Sequence, residues 1–131
     1  MLRSTLSRAV RSVATTRNVR NFSDIPINRV ASVLKLNVGN LETAIKMDTH
    51  MKAVHEQMKA HPGFNGTTRT VCKSEWAYEL SFIFESLDSF KAWNESKLRE
   101  TVHPSYQKGL DDCGIKEADV YSGVRVHDDW A

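Results

Sequence analysis

The alternation of apolar and polar positions changes its period along the chain and so marks out successive strands and helices. Residues 29–38 are rich in Val and Leu and stop at Gly39, which predicts a strand. Asn40 then offers an N-cap for an amphipathic helix over residues 41–61, which Pro62-Gly63 ends. The apolar stripe of this helix recurs at steps of three and four and comprises Ala44, Met47, Met51, Val54 and Met58.

The second half of the chain repeats this alternation. Residues 64–73 and 76–85 are rich in Thr, Val and aromatic residues and are close enough in sequence to form an antiparallel hairpin. Ser86 is a candidate cap for a second helix, residues 109–114 form a predicted loop rich in Asp and Gly, and residues 118–127 form a last strand. The inner face of the second helix is predicted to carry Leu87, Phe90, Trp93 or Asn94, and Leu98.

This order of elements, β-α-β-β-α-β, predicts the ferredoxin-like α+β fold, an antiparallel sheet with helices on one face. Alternating apolar residues in strands such as 76–85 predict a second apolar surface on the other face of the sheet. At this chain length a second copy of the same chain is the usual cover. We therefore expect a homodimer whose two sheets face each other.

The charges are unevenly distributed. Residues 1–22 carry five Arg and no acid, with Ser and Thr in abundance and no long apolar run, a composition typical of an organellar transit peptide. Arg20, Phe22 and Ser23 resemble a mitochondrial processing site, which predicts a mature domain at 23–131 in the mitochondrial matrix. A plastid destination and a disordered basic tail that binds anionic surfaces are the alternatives.

The rest of the sequence argues against several other functions. Removing the five Arg of residues 1–22 from the 18 basic residues leaves 13 against 16 acidic residues, a net charge of −3, which does not favour nucleic-acid binding. No segment is long and apolar enough to predict a membrane span. His50 and His55 lie about 140° apart on one helix, so they predict no metal site. Cys72 and Cys113 form no disulfide framework, and Cys72 is interpreted as a small buried strand residue.

The main functional question is whether Trp93 and His103 share one binding pocket. On a straight helix, ten residues advance roughly 15 Å and leave the two side chains about 80° apart, so they do not touch. They can flank one large flat ligand, or meet a smaller one if the helix breaks between them. Pro104 disfavours helical geometry at His103, which favours a bend there. The alternative is a core Trp93 and a His103 stabilised by the negative end of the helix dipole.

Three consecutive motifs resemble the antibiotic biosynthesis monooxygenase (ABM) superfamily. The HPGFNGTTRT turn, with His61 to Phe64 and Gly66, is followed by the WAYELSFIFES strand and by LDSFKAW, which holds Phe90 and Trp93. The resemblance extends from Arg29 to Val126. It implies a dimeric α/β barrel built from ferredoxin-like protomers and an oxygenase that requires no cofactor.

The haem-degrading branch of this superfamily carries a Trp and a His at the spacing of Trp93 and His103. By that resemblance His103 is a haem ligand and Trp93 presses on the porphyrin face. An Asn that those enzymes place early in the first strand falls at Ser32, whose hydroxyl has a shorter reach. That departure argues against haem degradation.

Two hypotheses of function follow. In the first, an ABM-type monooxygenase oxygenates a hydrophobic aromatic, quinol-like or tetrapyrrole substrate, with His103 as base or haem ligand and with Trp93 and Ser32 in the catalytic site. The pocket in that hypothesis is lined by Phe82, Phe84, Phe90 and Met51. In the second, a non-catalytic homodimer binds a hydrophobic small molecule or a partner protein, because few polar side chains are available for catalysis.

Overall fold

The structure is a computed structural model that describes residues 25–130, so the predicted transit peptide at 1–22 and its processing site lie outside the described residues. In the described part, no helix is long and apolar enough to cross a membrane. A single 3-10 turn, Glu117–Asp119, precedes the last strand. The other elements are, in chain order, β1 (Arg29–Asn37), α1 (Leu41–Met58), β2 (Phe64–Val71), β3 (Ala77–Phe84), α2 (Leu87–Asn94), α3 (Lys97–Asp112) and β4 (Tyr121–His127).

The four strands form one sheet in the order β2-β3-β1-β4, with every neighbouring pair antiparallel. Ser32 on β1 lies opposite Phe82 of β3 on one side and Val124 of β4 on the other. The helices cover one face of this sheet. The predicted ferredoxin-like α+β fold is therefore confirmed, with the second helix divided in two.

The core lies between the sheet and the helices. Alternate residues of β3 face the helices and are almost fully buried, because side chains on a strand point to opposite faces in turn. Each such burial contributes about 1.5–3 kcal/mol to folding. These β3 residues are Tyr78, Leu80, Phe82 and Phe84. From the other side, α1 buries the five residues of its predicted apolar stripe.

Helix α1 begins where the sequence predicts, because the Asn40 side chain accepts a hydrogen bond from the backbone N–H of Thr43 at 2.8 Å. It ends at Met58, three residues earlier than the predicted residue 61. The backbone N–H of His61 donates to the Met58 carbonyl at 2.9 Å, so the chain tightens into a turn before Pro62. Gly63, with φ at +88°, completes this turn.

The predicted hairpin between β2 and β3 is confirmed, but the interpretation of Cys72 is wrong. Strand β2 ends at Val71, and Cys72 is an exposed residue of the turn. The Cys72 thiol lies 3.2 Å from the Ser74 hydroxyl, and this hydrogen bond lowers the pKa of Cys72. Turn residues replace strand residues here because Trp76 adopts a φ of +60° and its N–H donates to the Cys72 carbonyl at 2.6 Å.

The second helix breaks, but not at the predicted position. Pro104 lies inside α3, and the helix continues through it. The break falls between α2 and α3, where the Ser96 hydroxyl accepts a hydrogen bond from the Arg99 N–H at 3.2 Å and so begins a new helix. The bend expected at His103 is therefore wrong in position, because the N-cap at Ser96 restarts the helix eight residues before Pro104.

The predicted loop at 109–114 is also wrong for its first four residues, which belong to α3. Gly109 is buried where α3 crosses α1, and a Cβ there would lie only 2.9 Å from the Cβ of His50. His50 also pairs with Asp112 across the same crossing, at 3.0 Å. Gly109 thus serves the close approach of two helices rather than a turn.

The exposed face of the sheet is less apolar than predicted. Ala31, Val33 and Ile83 form a small buried cluster on it. Around them the face carries polar groups, including the Lys35–Glu79 ion pair at 3.8 Å. The homodimer through this face remains a prediction.

A hydrogen-bonded ion pair fastens α1 to the sheet. The Asp48 carboxylate accepts two hydrogen bonds from the Arg69 guanidinium, at 3.0 and 2.6 Å, and one from the Tyr78 hydroxyl at 2.5 Å. Burial first, and then the hydrogen bond to Asp48, raise the pKa of Tyr78 above its ordinary value near 10. The neutral phenol therefore stabilises the fold, and that contribution is complete below pH 10 and is lost as the pH rises further.

We expect Tyr78→Phe to lower the free energy of unfolding by about 1.5–3 kcal/mol at pH 7.5, because a hydrogen bond to a charged group is lost. The difference between wild type and Tyr78→Phe should narrow above pH 10. Urea unfolding of both proteins at pH 7.5 and above pH 10 measures this difference in the free energy of unfolding. Tyr121→Phe is the control, since the hydrogen bond from Arg125 lowers the pKa of Tyr121 instead. A difference that stays constant with pH would contradict this account.

Candidate active site

A cavity of about 220 Å³ lies between the helices and the β1–β4 side of the sheet. Its walls come from all three helices, from three strands of the sheet, and from the segment that precedes β4. Apolar residues contribute Leu34, Val54, Met58, Phe82, Trp93, Val102 and Val120, and polar residues contribute Ser32, Arg99, His103, Tyr106, Glu117 and Ser122.

Four of the seven residues that the sequence suggests for the site line this cavity. Ser32 and Phe82 are neighbours on the sheet, and Trp93 and His103 come from the two halves of the divided helix. Trp93 is buried and His103 is exposed, so the cavity has an inner aromatic wall and an imidazole near solvent. The structure thus brings Trp93 and His103 to one cavity.

The other three suggested residues, Phe84, Phe90 and Met51, do not line the cavity. Phe84 is fully buried in the core, with the ring of Phe90 packed edge-on at 5.5 Å. Met51 is buried under α1 and lines a separate groove. Aromatic character predicts burial for the two phenylalanines, but the sequence does not distinguish the core from a cavity wall.

The helix break at Ser96 sets the orientation of Trp93 relative to His103. The Ser96 hydroxyl donates to the Trp93 carbonyl at 2.8 Å while it caps α3 through the Arg99 N–H. The Ser96 side chain therefore caps both the C-terminus of α2 and the N-terminus of α3. Because the helix changes direction here, the separation of about 80° expected for a straight helix does not apply.

Apart from His103 and Ser32, sequence reasoning misses the polar residues that line the cavity. Arg99, Val102, His103 and Tyr106 follow one another at steps of three, one and three, so they share one face of α3. The signal exists in the sequence, since Ser96 is a recognisable N-cap followed by this spacing. Glu117 comes from a different segment, and only the tertiary structure places it beside the α3 residues.

The Tyr106 hydroxyl is a hydrogen-bond donor at the rim of the cavity. Burial raises the pKa of the Tyr106 hydroxyl, and the negative charge of Glu117 raises it further. Tyr106 therefore stays protonated at neutral pH and can donate a hydrogen bond to a ligand oxygen. The ring of His103 lies 6.0 Å from that of Tyr106, so a donor and a candidate base lie side by side.

The separate groove that Met51 lines has a volume of about 340 Å³ and lies on the other side of α1. Five of its polar side chains are paired with one another: Asp48 with Arg69 and Tyr78, and the Nδ1 atom of His55 with the Thr67 hydroxyl at 2.7 Å. These pairs join α1 to β2 and β3. We interpret this groove as a structural junction.

The residues present do not fit haem. A cavity of about 220 Å³ is only about one and a half times the ~150 Å³ that encloses benzene, so it does not enclose a tetrapyrrole. Ser32 supplies a short hydroxyl where an amide is expected.

No protein-family model matches the chain, and no curated protein matches it in sequence. Solved structures do match it. The monooxygenase from the ActVA-Orf6 gene of Streptomyces coelicolor, in complex with nanaomycin D, superposes with a TM-score of 0.61 at 15% identity, over 82% of this chain and 94% of that chain.

Two further structures share the architecture. SnoaB, a cofactor-independent oxygenase from Streptomyces nogalater, gives a TM-score of 0.54 at 12% identity, over 79% of this chain and 95% of its own. Rv0793 from Mycobacterium tuberculosis gives 0.52 at 14% identity, over 79% and 98%. The chain thus has the fold of the ABM monooxygenases, and the resemblance noted in the sequence is confirmed at the level of the fold.

The role of Ser96 can be tested by Ser96→Ala. We expect the free energy of unfolding to fall by about 0.5–2 kcal/mol, because the cap of α3 is lost. We also expect ligand binding in the cavity to weaken, since Ser96 sets the angle between α2 and α3. Thermal unfolding and titration with a bicyclic phenol measure the two effects.

Thr101→Ala is the matched control, because Thr101 also bonds a backbone carbonyl, that of Lys97, yet lies on the exposed side of α3. Equal effects of the two substitutions on both measurements would contradict a special role for Ser96.

Proposed function

We propose that this chain is an ABM-type monooxygenase that oxygenates a small electron-rich aromatic substrate, such as a quinol, without a bound cofactor. The observation that carries the proposal is that Trp93 and Phe82 line the same cavity as the imidazole of His103. Support also comes from the fold, since the solved structures that share it include SnoaB, a cofactor-independent oxygenase.

In the proposed reaction the substrate supplies the electrons. His103 accepts a phenolic proton, and the Tyr106 hydroxyl donates a hydrogen bond to the resulting phenolate oxygen. One oxygen atom of O₂ then bonds to an adjacent ring carbon to give a hydroperoxide. Its O–O bond breaks as water leaves, so a quinol and O₂ yield a hydroxyquinone and H₂O.

The walls of the cavity suggest the roles of the other residues. Trp93 and Phe82 contact the faces of the aromatic ring and exclude water from the reacting carbon. Ser32 offers a hydroxyl to a second ring oxygen. Arg99 at the rim provides a positive charge for the phenolate, and it has no ion-pair partner in the described part of the chain.

The size of the cavity favours a substrate of one or two rings. About 220 Å³ is roughly one and a half times the ~150 Å³ that encloses benzene, which leaves room for a second fused ring but not for four rings. We therefore propose a bicyclic quinol rather than a tetracyclic compound or haem.

The assembly and the location form part of the same proposal. The alternating apolar residues of strands such as 76–85 support a homodimer through the exposed face of the sheet. The composition of residues 1–22 supports the mitochondrial matrix, with the plastid as the alternative.

The proposal is tested by oxygen uptake with 1,4-dihydroxynaphthalene as substrate. Wild-type protein should consume oxygen faster than the uncatalysed reaction, and His103→Ala should lower the rate about 10²–10⁴-fold because the base is removed. His55→Ala is the matched control, since His55 lies on the other side of α1 and should leave the rate unchanged.

A rate for His103→Ala equal to that of wild type would remove His103 from the mechanism. No oxygen uptake by wild type, combined with saturable binding of the quinol, would instead support the second hypothesis, a non-catalytic module that binds a hydrophobic small molecule. The exposed position of His103 is the observation that favours this second hypothesis.

Haem is tested separately by titrating the protein with haemin. We expect no shift of the Soret band that depends on His103, because the cavity is too small for a tetrapyrrole. A shifted Soret band in wild type that disappears in His103→Ala would contradict this expectation and support axial ligation.

A further inference from the structure

His61 is a buried histidine that the proposed reaction does not use. Within residues 25–130, His61 and Tyr78 are the only ionisable side chains that are buried. Tyr78 is accounted for by its hydrogen bond to Asp48. His61 stands in the turn after α1, does not line the cavity, and lies against the helix that carries Trp93. Its burial therefore requires a separate explanation.

The first contact of His61 is with the backbone of α2. Its Nε2 atom lies 3.0 Å from the carbonyl oxygen of Ser89. A carbonyl only accepts hydrogen bonds, so Nε2 carries the proton and donates. In an α-helix that carbonyl also pairs with the N–H of the residue four positions later, which is Trp93. His61 thus holds the same carbonyl that anchors the Trp93 backbone.

The second contact is with the side chain of Trp93. The two rings meet edge-on, with centroids 5.4 Å apart and planes at 72°. The His61 ring also packs edge-on against Phe84 at 6.0 Å. Edge-to-face contacts of this kind contribute about 0.5–1.5 kcal/mol beyond simple burial. The indole of Trp93 therefore has His61 and Phe84 behind it and the cavity in front.

The turn that carries His61 is itself fixed against α2. Gly63 packs so closely on Ser89 that a Cβ at Gly63 would lie 2.2 Å from the Ser89 hydroxyl oxygen. The Gly63 carbonyl also accepts a hydrogen bond from the N–H of Glu85 at 2.8 Å, which fixes it to the end of β3. Little freedom remains for His61 to move relative to α2.

We infer that His61 is a positioning residue that holds Trp93 in the wall of the cavity, chiefly through the hydrogen bond from Nε2 to the Ser89 carbonyl. This inference rests on the proposed function only in taking the cavity as the ligand site. The ring contact supplements the hydrogen bond, and His61 itself touches no ligand.

Two substitutions separate the hydrogen bond from the ring. His61→Gln keeps an amide N–H near the position of Nε2 and removes the ring, whereas His61→Phe keeps an aromatic ring and removes the donor. Binding of 1-naphthol reports on the cavity. The ¹⁹F spectrum of protein labelled with 5-fluorotryptophan reports on Trp93, whose signal is assigned from the spectrum of Trp93→Phe.

We expect His61→Gln to bind 1-naphthol with nearly wild-type affinity and to retain one sharp Trp93 resonance. We expect His61→Phe to bind about tenfold more weakly, the effect of one lost hydrogen bond, and to show a broadened or doubled Trp93 resonance. If His61→Phe does not fold, His61→Asn replaces it, because its shorter amide does not reach the Ser89 carbonyl.

Wild-type binding and an unchanged Trp93 resonance in both substitutions would overturn the inference, and so would equal losses in the two, which would assign the effect to the ring. These readouts need no turnover. If wild type binds 1-naphthol but consumes no oxygen with a quinol, the proposed oxygenase fails while the role of His61 is still decided.

Discussion

The burial of one face of β3 is the constraint on which the rest of this structure depends. Tyr78, Leu80, Phe82 and Phe84 all point toward the helices and are almost completely removed from water. Their combined burial contributes several kcal/mol, more than any single polar contact in the molecule. The helices must cover these side chains, and the positions of the site residues on α1, α2 and α3 follow from how the three helices do so.

The cavity exists because that cover is incomplete. The helices pack over β3, while on β4 the side chains of Val124 and Val126 share the helix-facing side of the sheet and remain exposed. Between these two regions Ser32 and Leu34 of β1 form a floor that no helix fills. An aromatic wall and a polar rim around such a gap are suited to holding a hydrophobic ring while leaving its oxygen atoms in contact with hydrogen-bonding groups.

Polar side chains in this molecule act mainly at the junctions between elements. Asp48 joins α1 to the sheet, Ser96 joins α2 to α3, and His61 joins the turn after α1 to α2. Ser96 and His61 each contact Trp93 of the candidate site, whereas Asp48 lies in the groove on the other side of α1. A site on a small domain needs such joints, because ligand contacts are effective only when the groups that make them are held in place.

The sequence by itself determined the order of elements, the stripe of α1 and the caps at Asn40 and Ser86, because these depend on residues close together in the chain. It also named Trp93, His103, Ser32 and Phe82. Only the tertiary structure placed the helix break at Ser96 rather than Pro104, put Gly109 inside a helix crossing, and separated the cavity residue Phe82 from the core residue Phe84. Periodicity records which face a side chain occupies, whereas a cavity arises where distant elements fail to meet.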